Sequence, residues 1–116
     1  MGYTKRNGTY VHTVDVDLSP SAALSADSTT SGVELGNLGT LRLTLNVTAV
    51  SASDSLDVSI ETSRDGTTWY TAGAFTQATG TTTESKCFPV DRFVRAKYDV
   101  TGAAISISCT LRGEAV

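Results

Sequence analysis

The chain holds one histidine, one tryptophan, one methionine, two prolines and two cysteines in 116 residues. Each shortage narrows the field. With His12 alone, a histidine-built metal or acid–base centre has little to draw on. Cys87 and Cys109 are too few for a metal cage and are not spaced as a CxxC pair. No apolar run approaches the roughly eighteen residues that cross a bilayer as a helix, so no membrane partner is expected. In Met1-Gly2-Tyr3-Thr4-Lys5-Arg6-Asn7 the basic residues have no apolar stretch behind them, which argues against a secretory signal, and Arg6 occupies the place where myristoylation requires Ser or Thr. Synthesis in a host cytoplasm is the expectation. There Cys109, on the apolar side of its strand, reads as a small hydrophobe, with a Cys87–Cys109 disulfide as the alternative if their strands are neighbours.

Charge is scarce as well. Charged residues make up 18% of the chain, against about 25% in ordinary soluble domains. Nine bases against twelve acids give a net charge of −3. No nucleic-acid partner is expected from an acidic chain, because phosphate binding needs a basic face. The local basic groupings are Lys5-Arg6 near the start and Arg92, Arg95 and Lys97 on one predicted strand.

What the chain has is alternation. Hydrophobic residues are 40% of the sequence, enough for one domain of this length to bury a real core. Leu41, Leu43, Leu45 and Val47 alternate with Arg42, Thr44, Asn46 and Thr48, which predicts a central strand. Leu56, Val58, Ile60 and Thr62 predict the next, and Asp65-Gly66 a turn whose glycine supplies a positive φ. Val94, Ala96, Tyr98 and Val100 form another inward row, as do Ile105, Ile107, Cys109 and Leu111. Tyr10 to Val16 reads as an early strand, Trp69 to Phe75 as the return of the hairpin, and Val33 to Leu35 as a short strand before the Gly36–Gly39 turn. The segment 18–32 reads as a long loop or a short irregular edge and 77–83 as a mobile loop or weak edge, while Cys87, Phe88 and Val90 read as a short strand that Pro89 places at an edge or a strand end. The expected fold is therefore all-β: an antiparallel β-sandwich of about seven to eight strands, with a small barrel as the alternative. The expected organisation is a flexible arm over residues 1–9 and one domain over 10–116.

Candidate chemistry is thin. His12 shares its strand side with Tyr10, Val14 and Val16 and reads as a partly buried imidazole, and no GxSxG or Cys-His pattern accompanies it. Asp15 and Asp17 share a face and Asp54, Asp57 and Asp65 fall on one hairpin, without the spacing of a hard-cation loop. Neither Asn7-Gly8-Thr9 nor Asn46-Val47-Thr48 is expected to be glycosylated. No catalytic, cofactor-binding or metal residues are assigned, no cofactor is expected, and the chain is read as a non-enzyme.

Two stretches carry a resemblance. The run Ser63-Arg64-Asp65-Gly66-Thr67-Thr68-Trp69 is similar to the S-x-D-G-x-x-W hairpin of discoidin-type β-sandwich lectins, in which the Trp is usually a core residue beside the turn. The longer pattern, Leu56 to Trp69 followed by Arg92-Phe93-Val94-Arg95-Ala96-Lys97-Tyr98-Asp99-Val100-Thr101-Gly102, resembles small β-sandwich virion proteins of tailed bacteriophages. That resemblance implies a capsid-surface decoration protein or another head component, located in the virion, forming a homo-oligomer and binding the major capsid protein or another virion protein. A glycan- or surface-binding module and a neck or tail connector are the alternatives. The expected interface residues are Tyr3, Lys5, Arg6 and Tyr10 near the N-terminus, with Arg92 and Arg95 on an outward strand face.

Overall fold

A strand whose alternate residues are apolar must lie against a second apolar layer, and this chain repeats that pattern often enough to build both layers from strands. The computed structural model describes residues 2–6 and 9–116, with side chains from Thr13 onward. In chain order the strands are β1 (Gly2–Arg6), β2 (Thr9–Asp17), β3 (Ser28–Thr29), β4 (Val33–Glu34), β5 (Thr40–Val50), β6 (Ser55–Ser63), β7 (Tyr70–Ala74), β8 (Thr82–Pro89), β9 (Phe93–Thr101) and β10 (Ile107–Ala115). One sheet has the order β1-β2-β10-β5-β8, the other β3-β9-β6-β7 with β4 also on β9. All pairings are antiparallel. The fold is an antiparallel β-sandwich, and eight of its strands have five residues or more.

The core is the sum of the inward rows. Leu41, Leu43, Leu45 and Val47 of β5 face Leu56, Val58 and Ile60 of β6 and Val94, Ala96 and Tyr98 of β9, all of them buried. Each such aliphatic side chain removed from water contributes about 1.5–3 kcal/mol. The segment 18–32 belongs to this core despite its loop composition. Leu18 N–H donates to Leu111 O at 2.8 Å, and Leu24 exchanges two backbone hydrogen bonds with Ile107, so the chain leaves β10 and returns to it with Leu18 and Leu24 buried.

Three expected boundaries move. Thr82 and Thr83, read as loop or weak edge, belong to β8; this edge strand is wet on both faces, with Thr83, Ser85, Lys86 and Cys87 exposed and Phe88 buried, so its alternation is muted. The last strand begins at Ile107 rather than Ile105 and runs on to Ala115. Trp69 precedes β7 rather than opening it. Pro89 ends β8 opposite Thr40, where a missing donor costs no interior ladder bond.

The Asp65 turn is held by its own side chains. Asp65 Oδ1 accepts from the N–H groups of Thr67 and Thr68, both at 2.9 Å, and from Ser63 Oγ at 3.0 Å, while Gly66 N–H donates to Ser63 Oγ with φ at +81°. The Thr68 and Thr67 amides, then the Ser63 hydroxyl, hold the Asp65 carboxyl far below its usual range.

The N-terminal strands reach past the sandwich. β10 pairs with β2 only over Val14 to Asp17, whereas β1 pairs with Thr9 to Thr13. The chain segment expected as an arm thus includes a strand, and over roughly 17 Å, at about 3.4 Å per residue, β1 and β2 form a two-stranded ribbon. The ribbon end of the sandwich also carries Ala115, Leu41, Ser63 and Phe93, and the opposite end Val50, Ser55, Thr101 and Ile107.

Candidate interaction site

The expected interface residues fall into two groups on different sheets. By register Tyr3 lies opposite His12, Lys5 opposite Tyr10 and Arg6 opposite Thr9, all on the ribbon of the first sheet. The side chains of Tyr3, Lys5, Arg6, Tyr10 and His12 lie outside the described residues, as do Met1, Asn7 and Gly8. Arg92 and Arg95 belong to the second sheet, Arg92 just before β9 and Arg95 within it.

Both arginines already have partners in the chain. Arg92 donates through Nε and Nη2 to Glu34 Oε1 at 2.9 and 2.7 Å, with a side chain that is 58% exposed. An exposed pair of this kind contributes little. Arg95 is more enclosed. Its Nε donates to Glu61 Oε1 at 2.8 Å, and its guanidinium lies 4.2 Å from the centre of the Trp69 ring. Glu61 and Arg95 are cross-strand partners on β6 and β9, the arrangement in which opposite charges stabilise a sheet. Arg95 is out of phase with the buried Val94 and Ala96, as expected, but it meets Trp69 rather than open solvent.

Trp69 corrects the expectation of a core tryptophan. It is half-buried on the outside of the second sheet, with one ring face toward Arg95 and its Cζ2–Cη2 edge against Gly32, where a β-carbon would come within 3.1 Å. Sequence spacing signalled a residue beside the turn but could not show that the six residues separating Ser63 from Tyr70 swing the indole outward. Glu61 and Glu34, which fix the two arginines, were legible only as the outward members of their strands.

The outer face of the first sheet is a field of small polar side chains. Thr44 and Ser85 hydroxyls lie 2.7 Å apart, Thr83 Oγ1 donates to Asn46 Oδ1 at 3.1 Å, and Thr48 Oγ1 donates to Ser108 O at 3.2 Å. At its edge β8 points Lys86 toward β7, where Nζ donates to Ala74 O at 2.6 Å and lies 5.9 Å from the Phe88 ring centre. A lysine so placed blocks addition of a further strand.

The carboxylates do separate jobs rather than crowding together. Asp65 holds its turn, while Asp54, at the other end of β6, is buried and accepts from Ser51 Oγ. Asp17 accepts from Ser19 N–H at 3.0 Å and pairs with Arg112 at 3.2 Å; the Ser19 hydrogen bonds, ahead of Arg112, lower its pKa. Among the described residues no group of three or more His, Cys, Asp and Glu side chains is arranged to hold a metal ion, and no helix is long and apolar enough to cross a membrane.

Both cysteines are free thiols. They stand on strands separated by β5 and on opposite faces of the first sheet, Cys87 outward and Cys109 packed against the core. Burial pushes the Cys109 thiol up to about 11. A thiol reagent at pH 8 is therefore expected to modify one cysteine per folded chain quickly, with peptide mapping placing the label on Cys87, and to reach Cys109 only when the protein is unfolded. Equal rates at both positions would contradict this packing.

No protein-family model matches the chain, and no curated protein matches its sequence.

Proposed function

We propose that the chain is a structural protein of a bacteriophage virion, a capsid-surface decoration protein that binds the lattice of the major capsid protein. The observation that carries the reading is the spatial relation of the two resembling stretches. Leu56 to Trp69 and Arg92 to Gly102 are separated by more than twenty residues of sequence, yet β6 and β9 run side by side in unbroken register from Ser55 opposite Thr101 to Ser63 opposite Phe93. The two stretches thus lie on neighbouring strands of one sheet, which supports reading them as one pattern.

The physical character of the molecule supports the same reading. A stiff sandwich with a hydroxyl-rich outer face and a projecting ribbon suits attachment to a repeating lattice, where many copies make up for weak single contacts. The surfaces this reading gives to the lattice are the ribbon with Tyr3, Lys5, Arg6 and Tyr10, and the second-sheet rim at Arg92. Arg95, tied to Glu61 and Trp69, serves the shape of that rim.

Co-sedimentation tests the proposal. The purified chain, mixed with assembled heads of the virus whose genome encodes it, is expected to pellet with them at a fixed ratio to the major capsid protein. Chain that stays in the supernatant at every concentration would end the decoration reading.

A further inference from the structure

Asp65-Gly66 is the one Asp-Gly pair in the sequence. In an open chain this dipeptide is prone to rearrange, because glycine has no β-carbon to shield its amide nitrogen. The nitrogen of Gly66 attacks Cγ of Asp65 and closes a five-membered succinimide. One carboxyl oxygen departs as water, taking the amide proton and the proton of the neutral carboxyl with it. Water then adds back at either carbonyl of the ring. Addition at Cγ breaks the new N–Cγ bond and restores Asp65. Addition at the main-chain carbonyl breaks its bond to the Gly66 nitrogen and leaves the chain running through the Asp65 β-carbon, as isoaspartate. Nothing is oxidised or reduced, and water is the only co-reactant.

The folded turn opposes both halves of this reaction. Ser63 is fully buried, and its hydroxyl is bonded to the two groups that would react: it donates to Asp65 Oδ1 at 3.0 Å and accepts from Gly66 N–H at 2.9 Å. The amide proton that must leave is thus engaged by Ser63 Oγ. The carboxyl is fixed from its other side, where the same Oδ1 accepts from the N–H groups of Thr67 and Thr68, both at 2.9 Å. Bringing Asp65 Cγ onto the Gly66 nitrogen requires these bonds to be given up together. The Thr68 and Thr67 amides, then Ser63, also keep the carboxyl ionised, whereas the loss of water needs it neutral. Asp65 itself is exposed, so access of water does not limit the reaction.

We propose that Asp65-Gly66 is the aspartyl rearrangement site of this chain, held latent in the folded state by the Ser63 hydroxyl that stands between the two reacting groups. Ser63 acts as a positioning residue. The product would lengthen the backbone between Ser63 and Tyr70, the segment that sets Trp69 against Arg95, so rearrangement would reach the second-sheet rim. The proposal is independent of the virion reading.

Ageing of the full chain at about 37 °C and pH 6, with peptide mapping by mass spectrometry to count isoaspartate at position 65, tests it. Folded wild type is expected to form isoaspartate there at least about tenfold more slowly than the same chain in urea, because the reactive geometry needs the turn to open. Ser63→Ala, shown to be folded by circular dichroism, should rearrange at least about fivefold faster than wild type, the scale of a lost buried hydrogen bond. Tyr98→Phe, which weakens the fold away from the turn, should stay within about twofold of wild type if opening is local. Asp65→Asn keeps the Oδ1 acceptor and needs no neutral carboxyl, so its slow deamidation in the folded chain relative to urea isolates the geometric part of the protection. Equal rates in folded and unfolded wild type, a folded Ser63→Ala that ages as wild type does, or a Tyr98→Phe that ages as fast as Ser63→Ala would each overturn the proposal. Should Ser63→Ala not fold, the folded-against-urea comparisons of wild type and Asp65→Asn decide it alone.

Discussion

Gly113→Ala is expected to cost at least about 4 kcal/mol and to leave little folded protein at 37 °C, the scale reserved for substitutions that force a packed backbone apart. Gly113 sits in β10 between Leu43 of β5 and Val16 of β2, in the middle of the first sheet. A β-carbon there would lie 1.8 Å from Arg42 O and 2.9 Å from the Leu43 α-carbon. Neither atom belongs to a side chain that could rotate away. Relief requires β10 to move off β5, breaking the ladder that runs from Ile107 to Ala115. Gly80→Ala is the matched control: nothing lies within 4 Å of its β-carbon, and its φ is not positive. Removing that glycine is expected to be neutral or to stabilise by about 0.4–1 kcal/mol through the unfolded chain. Chemical denaturation of both variants checks the contrast, and a Gly113→Ala protein within 1 kcal/mol of wild type would show that the two strands do not approach this closely.

Gly113 also illustrates what sequence can and cannot display. The strands with a strict inward row, β5, β6 and β9, were legible because burial on one face writes itself as period two. Two strands were legible only in part. In β10 the alternation falters beyond Leu111, since Gly113 has no side chain to declare its face, and only the close approach of Arg42 explains why glycine stands there. In β8 the edge is solvated on both sides, so Thr82 and Thr83 read as loop or weak edge although β8 pairs with β5 over its whole length. The segment 18–32 had the composition of a long loop or a short irregular edge; it holds the two-residue edge strand β3, and Leu18 and Leu24 anchor it through backbone bonds that no periodicity encodes.

The interaction surfaces were less legible for a related reason. Arg92 and Arg95 are conspicuous in sequence because they punctuate an apolar row, yet their partners Glu34 and Glu61 come from strands brought alongside only by the fold.

Tyr98→Ala should rank beside Gly113→Ala, and Tyr98→Phe separates the two parts of its effect. The ring of Tyr98 is fully buried between the sheets, and its hydroxyl donates to Leu18 O. Leu18 in turn donates its N–H to Leu111 O, so a single phenol ties β9 of the second sheet to the β2–β10 side of the first. Truncation to alanine opens a cavity and is expected to cost about 3–5 kcal/mol. Phenylalanine keeps the packing but leaves Leu18 O without that donor in the core, a loss of about 1–3 kcal/mol. A second signature follows from ionisation. Burial, then the nearby Cys109 and Asp17, push the phenol far above its ordinary value near 10. The folded state therefore keeps its proton where the unfolded chain gives one up, so this contribution is intact below pH 10 and is progressively lost as pH rises beyond it. Over that alkaline range wild-type stability should fall more steeply than that of Tyr98→Phe, by up to about 1.4 kcal/mol per pH unit. Parallel denaturation curves for the two proteins from pH 9 to 11 would mean that the Tyr98 hydroxyl is not the buried tie between the sheets.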